Sequence, residues 1–348
     1  MSPSQATQRR ARRLPAAVVV VVGIGVLLLS IVTAISFGPS DLSVGNVWDV
    51  LAHKLGFGPD PGLTPLRVAT IWDLRLPRVL LAAAAGAGLS LCGVIMQSLL
   101  RNPLAEPYLL GVSSGASTGA VLILVMGLGG GLVSFPAGAF VGSLAAFAAT
   151  LGLSRLAGGT TDKIVLAGIA VTQGFSALTS FIIMVGADAN TTRGVLYWLM
   201  GSFASVSWTD VALSATVLAG FLLLTMFMAG SLDAFMFGEQ EAATLGVSVH
   251  ATRIILLGGA ALMTAVVVSS SGAIGFVGLV LPHIARLLVG SRHRALLPVS
   301  AVFGAIFLLW ADTIARAAFA PLEVPVGVIT ALVGVPIFAT ILARTRKR

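Results

Sequence analysis

Long stretches free of Asp, Glu, Lys and Arg alternate along the chain with short charged punctuation. Eight of them are long enough to cross a bilayer: Leu14–Ser40, Leu80–Leu100, Pro107–Ser154, Ile164–Ala187, Val211–Leu232, Ile254–Ala285, Ala295–Ala311 and Val324–Ala343. A membrane-spanning helix needs roughly 20 apolar residues. Two stretches hold a pair of helices with a turn between. Pro107–Ser154 breaks at the glycines of Gly127–Gly131, and Ile254–Ala285 breaks at Ser269–Gly272. The pattern therefore predicts an all-α polytopic membrane protein of about ten spans. Leu14–Ser40 follows Arg9, Arg10, Arg12 and Arg13, as a signal peptide would. Its apolar run exceeds the ~7–15 residues of a signal-peptide core, so it reads as a retained first helix.

Between the first two spans, Val44, Val47, Trp48, Leu51 and Leu55 recur at helical spacing opposite Asn46, Asp49 and Lys54. This predicts a short helix lying on the membrane surface, followed by a turn-rich Gly56–Pro65. A second connecting segment, Gly186–Trp208, carries Tyr197, Trp198 and Trp208, aromatic anchors suited to the headgroup level.

Composition agrees with this pattern. Of 348 residues, 57% are hydrophobic and 10% charged, against roughly 25% charged in a soluble domain. So much apolar surface excludes a water-soluble enzyme. The single cysteine, Cys92, reads as a packed small hydrophobe. The net charge of +8 acts first as a topology signal, not as a cue for nucleic acid. With ten spans and both termini cytoplasmic, 15 Lys and Arg fall in inner segments and 6 (Lys54, Arg67, Arg75, Arg78, Arg193, Arg316) in outer ones. The expected organisation is a basic cytoplasmic tail over 1–13, one transmembrane domain over 14–343 and a short cytoplasmic tail over 344–348.

One inner segment breaks the charge rule. Gly230–His250 carries Asp233, Glu239 and Glu241 and no Lys or Arg. Ala242, Ala243 and Leu245 give a small helical ridge that Gly246 ends, and Phe235, Met236 and Phe237 add an apolar knob. The pattern suits either an amphipathic connector or a docking helix for a cytoplasmic partner.

The span interiors lack the acids, histidines and lysines that serve ion-coupled carriers. Asp312 and Arg316, four residues apart, are placed to pair on one helical face. No phosphate-binding Gly-x-x-x-x-Gly-Lys-Ser/Thr motif is present, and the histidines at 53, 250, 283 and 293 are scattered. The sequence thus offers no catalytic and no metal site. Gly115-x-x-x-Gly119 and Gly138-x-x-x-Gly142 let helices approach closely. Gln97, Ser113, Ser114 and Ser117 are the polar positions available to a pathway or to helix-to-helix hydrogen bonds.

Three segments carry a resemblance. Arg75-Leu-Pro-Arg78 leads into Gly93-Val-Ile-Met-Gln97 and Asn102-Pro-Leu-Ala-Glu-Pro107-Tyr-Leu-Leu-Gly111. Gly272-Ala-Ile-Gly-Phe-Val-Gly-Leu-Val-Leu-Pro-His-Ile-Ala-Arg286 follows, and then Ala311-Asp-Thr-Ile-Ala-Arg316 with Pro325-Val-Gly-Val-Ile-Thr330. From about Leu74 to Ala343 the chain resembles the permease subunits of bacterial ABC importers for ferric siderophores, haem and cobalamin.

The resemblance implies a type II ABC importer permease in the bacterial cytoplasmic membrane. It implies a second permease subunit, identical or closely similar, two cytoplasmic ATPases that bind the ATP and Mg²⁺, and an extracytoplasmic substrate-binding protein. Glu239, Glu241, Ala242, Ala243, Leu245 and Gly246 would form the ATPase-coupling helix. Arg75, Arg78 and Arg316 would pair with acids of the binding protein. The Asn102, Pro103, Glu106 and Pro107 turn would brace the cytoplasmic contact. The implied cargo is a ferric siderophore, the family's most frequent cargo, with cobalamin or haem as the alternative within the same family.

Overall fold

The computed structural model describes residues 14–38, 42–127, 134–319 and 322–345. Fifteen α-helices follow one another: α1 Ala16–Ser36, α2 Val44–Lys54, α3 Pro65–Ala69, α4 Leu76–Leu99, α5 Val112–Met126, α6 Phe135–Leu156, α7 Thr161–Gly186, α8 Ala189–Leu199, α9 Trp208–Phe227, α10 Ala229–Phe235, α11 Glu239–Thr244, α12 Val249–Ser271, α13 Val277–Val289, α14 His293–Ala317 and α15 Val326–Thr345. A π-helical stretch over Thr70–Arg75 fuses α3 to α4, and Pro107–Leu110 forms a 3₁₀ turn. Among the described residues seven helices are long and apolar enough to span a membrane: α1, the fused α3–α4, α6, α7, α9, α12 and α14. The apolar cores of α5, α13 and α15 are shorter. Together they are the ten hydrophobic helices that the pattern predicts.

Burial decides the layering. In the most apolar window of the fused α3–α4 helix 89% is buried, against 22% in α1 and 17% in α7 and α9. α4 is the central post, and the others shield it or face outward. Its Ala82–Gly88 run keeps it slim. A Cβ at Gly86 would fall on the Gly304 carbonyl of α14, and one at Gly93 on the Gly278 carbonyl of α13. The two glycine pairs of α5 and α6 interlock in the same way, Gly115 on Gly142 and Gly119 on Gly138.

Two predicted elements differ in extent and a third in what covers it. The second span begins near Pro65, not Leu80. Charges at Arg67, Asp73, Arg75 and Arg78 hid its first turns. The eighth crossing is only half helical. At 1.5 Å per residue the 13 residues of α13 span about 20 Å, and the non-helical Gly272–Phe276, which turns at a left-handed Phe276, precedes it. Non-helical backbone inside a membrane protein needs internal partners, and here it has them. The Tyr108 hydroxyl accepts from the Ile274 N–H at 2.9 Å and donates to the Ile274 carbonyl at 2.8 Å. The Ser202 N–H donates to the Ser271 carbonyl at 2.7 Å. Finally, α2 forms where the spacing predicts it, but Val47 and Val50 are fully buried in the protein while Trp48 is exposed. Its apolar face is shared between protein and surroundings.

Candidate functional site

α4 and α14 form the most extensively packed helix pair, and polar clusters lie at both of its ends. At the first end, α4 begins, α14 finishes and the last turn of α1 lies between them. The Arg78 guanidinium grips Asp312 with Nε to Oδ2 at 2.9 Å and Nη2 to Oδ1 at 2.9 Å, and its Nη1 reaches Glu323 at 2.9 Å. Such a two-pronged contact is the strong form of an arginine–carboxylate pair. Arg75 Nη1 donates to the Ile35 carbonyl at 2.7 Å, and Arg316 Nη2 donates to the Ala34 carbonyl at 3.0 Å. The last carbonyls of a helix lack partners within it and carry partial negative charge. Two cations from α3–α4 and α14 thus close the end of α1.

This arrangement corrects the pairing of Asp312 with Arg316. Asp312 turns to Arg78 on the neighbouring helix, and Arg316 goes to α1. All three arginines are buried. Among the described residues of the cluster, Glu323, on the connection from α14 to α15, is the open one, with 38% of its side chain exposed.

At the other end, α10 and α11 hang below the bundle between α9 and α12. Two polar struts tie them in place. Asp233 of α10 accepts from the His293 backbone N–H at 2.9 Å and from His293 Nδ1 at 2.7 Å. His293 Nε2 shares a 2.7 Å hydrogen bond with Ser98 of α4. Glu239 of α11 accepts from the Thr161 hydroxyl at 2.8 Å and forms an ion pair with Arg253 of α12. Burial pushes the Glu239 carboxyl up, but the Thr161 and Arg253 bonds outweigh that and hold it below the usual carboxylate range.

The Ser98–His293–Asp233 line has the order of a hydrolase triad, which the scattered histidines of the sequence gave no sign of. Its surroundings are those of a strut. Ser98 is buried and its hydroxyl divides its one proton between His293 and the Val94 carbonyl, 2.8 Å away. The backbone around Ser98 belongs to α4 and supplies no free N–H pair for an oxyanion.

The struts sort the predicted coupling residues. Glu239 faces inward and Ala242 is fully buried, while Glu241, Ala243, Leu245 and Gly246 lie open. Leu245 is 67% and Phe237 72% exposed, with Met236 beside them. Phe235, expected in the exposed knob, is fully buried in the core. The predicted bracing turn lies alongside. Asn102 closes it, its Oδ1 accepting from the Leu104 N–H at 2.9 Å and its carbonyl from the Ala105 N–H at 3.0 Å. Pro107 is buried against Gly278, and Pro103 lines a cavity beside Gln97, Arg101 and Arg286. Burial holds the Glu106 carboxyl above the usual range. The charge of Arg101, ahead of this turn, helps to hold the Glu239 carboxyl below the usual range.

Of the polar span residues, Gln97 bridges helices. It donates to the Gly278 carbonyl at 3.1 Å and accepts from Arg286. Ser114 and Ser117 bond within their own chain segment, to the carbonyls of Gly111 and Ser113. Among the described residues no cluster of His, Cys, Asp and Glu could hold a metal ion.

A dense bundle with two tied ends and an open acidic loop matches known proteins along its length. The model of the FecCD transport family covers residues 26–344. The chain belongs to that family. It is 40% identical over 283 residues to the hemin transport system permease of Yersinia pestis, covering 80% of this chain and 84% of that one. With the cobalamin import system permease of Halobacterium salinarum the identity is 40% over 304 residues, covering 86% and 80%. With the Fe(3+) dicitrate transport system permease of Escherichia coli K12 it is 39% over 278 residues, covering 79% and 86%. A solved structure, described as an inward-facing conformation of a metal-chelate type ABC transporter, superposes with a TM-score of 0.81 at 29% identity over 94% of this chain and 99% of that one. Such a superposition makes this FecCD member a helical membrane permease in fold.

Proposed function

We propose that this chain is the permease subunit of an ATP-driven importer that moves a ferric siderophore across the bacterial cytoplasmic membrane by alternating access. The observation that carries the reading is the α10–α11 loop. Two of its three acids are spent on internal struts, Asp233 on α14 and through His293 on α4, and Glu239 on α7 and α12, and its outer edge of Met236, Phe237, Ala243 and Leu245 is left for a partner. An ATPase seated there would push on four helices at once. No nucleotide motif exists in the chain, so ATP and Mg²⁺ belong to that ATPase and this subunit is not itself an enzyme.

At the opposite end Arg78 is shared between the buried Asp312 and the partly open Glu323. Glu323 is the group that an acidic residue of a binding protein would displace from Arg78, and Arg75 and Arg316 would join the docking face only by leaving the α1 carbonyls they now hold. Two copies of the permease, two ATPases and one binding protein make up the assembly, with both termini in the cytoplasm. A ferric siderophore is favoured because iron-chelate permeases recur among the relatives, including an iron(3+)-hydroxamate permease of Bacillus subtilis at 34% identity over 346 residues.

Proteoliposomes holding this permease with its ATPase and binding protein test the reading. ATP-dependent accumulation of a radiolabelled ferric siderophore is expected. Uptake that persists without the ATPase overturns the mechanism, and uptake of haem or cobalamin in place of the siderophore overturns the cargo.

A further inference from the structure

Beside the Glu239 strut lies a cleft of about 170 Å³ where the end of α6 meets the starts of α7 and α12. Its polar side is formed by Ser154, Arg155, His250 and Arg253, and its apolar side by Leu151, Ile164, Ile254 and Leu257. No acidic residue lines it.

Two buried groups are left with unused hydrogen-bonding capacity. Arg253 is 7% exposed, and its Nη1 reaches the Gly159 carbonyl at 3.3 Å while Nη2 pairs with Glu239. Its Nε has no hydrogen-bond partner. The Ser154 hydroxyl is equally buried and equally without one. Buried polar groups normally find partners, so two unused donors beside a cleft with a further arginine at its rim call for an anion. The apolar half of the cleft, and the exposed Leu153, Leu156 and Ile255 around it, call for a hydrocarbon chain. Basic pockets between membrane helices are suited to anionic lipid headgroups.

We propose that this cleft is a site for an anionic phospholipid. Arg155, Arg253 and Ser154 hold the phosphate, and the first part of one acyl chain lies along Leu151, Ile254 and Leu257. Because Arg253 also holds Glu239, the lipid phosphate and the α11 strut share one guanidinium. Occupancy of the site therefore fixes Arg253 in the position that supports α11. The site needs neither cargo nor ATPase, so its test stands apart from that of the transport reading.

The full chain, stripped of lipid in detergent, is titrated with phosphatidylglycerol, with phosphatidylcholine of the same acyl chains, and with inorganic phosphate, and retention is read by native mass spectrometry. Phosphatidylglycerol should be retained at one site at least tenfold more tightly than phosphatidylcholine. Arg155→Gln removes one exposed charge and should weaken it about fivefold. Gly152, on the exposed side of α6, has open space where a Cβ would stand. Gly152→Leu should therefore fill the chain slot, lower phosphatidylglycerol retention and leave the fold intact by thermal melting. Equal retention of the two lipids overturns the proposal, as does phosphatidylglycerol retention unchanged in both variants. Inorganic phosphate that displaces the lipid at equal concentration and binds undiminished in Gly152→Leu assigns a free-anion site instead.

Discussion

At the end of the α4–α14 pair that meets α1, charge is gathered and enclosed. Arg78 is held by Asp312 and Glu323, and Arg75 and Arg316 cap α1. At the other end charge is used as scaffolding for a loop that stays open. Asp233 and Glu239 point back into the bundle so that Leu245, Phe237 and Met236 can point away. The same residue types serve both ends, but the burden differs. A carboxylate that is 1% exposed, as Asp312 is, has lost its hydration and depends on its partner. Glu239, with 39% of its side chain exposed, keeps much of its water. The enclosed end holds the fold together, and the open end holds a surface in position.

The sharpest way to break this comparison is to remove Asp312. Asp312→Ala leaves Arg78 buried with one partly exposed acid and should cost about 3–5 kcal/mol, read as a large drop in thermal stability in detergent. Glu323→Gln, at the more open side of the same arginine, should cost no more than about 1 kcal/mol. Equal losses would show that the cluster is not graded by burial.

A smaller effect belongs to the open end. Glu239→Gln should cost at most about 1 kcal/mol once solvent screening is counted. Because the folded Glu239 carboxyl lies below its ordinary 4.5, its contribution is complete above about pH 5 and is lost as pH falls through the folded value. Melting curves followed from pH 6 down to pH 3 should accordingly fall less steeply in the variant than in the parent.

The smallest stability effect is expected at Leu245. Leu245→Asp changes an exposed side chain and should leave stability within about 0.5 kcal/mol, while ATP-driven uptake in proteoliposomes falls sharply and ATP hydrolysis continues. Unchanged uptake would remove this edge of α11 from the coupling surface.

Much of this was legible in the residue pattern. The ten hydrophobic helices follow from where charge is absent, because hydrocarbon excludes charge and the chain cannot hide a span. The acidic 230–250 loop stood out for the same reason. The criterion failed where a helix carries charge that the fold satisfies internally, as in the first turns of the fused α3–α4 helix. It also failed where a crossing is partly non-helical, as in Gly272–Phe276. The four-residue spacing of Asp312 and Arg316 suggested a local pair, but Arg78 on the neighbouring helix offers two parallel hydrogen bonds where an i, i+4 contact offers a looser one. Asp233 was visible as a loop acid, but His293 and Ser98, 60 and 195 residues away from their partners in the line, gave no local signal. Thr161 and Arg253 were equally silent. The glycine spacing in α5 and α6 declared that helices would pack closely, without saying that these two would pack on each other.

By itself the sequence determined the solvent of the fold, the number of hydrophobic helices, the acidic 230–250 loop and the family motifs, all properties of composition and local spacing. Tertiary structure alone decided which arginine holds which carboxylate, which face of the acidic loop turns outward, and that Arg253 serves both the Glu239 strut and the cleft beside it. Those outcomes depend on contacts between residues tens to hundreds of positions apart. In such contacts burial, not residue type, sets what a charge costs and whom it must find.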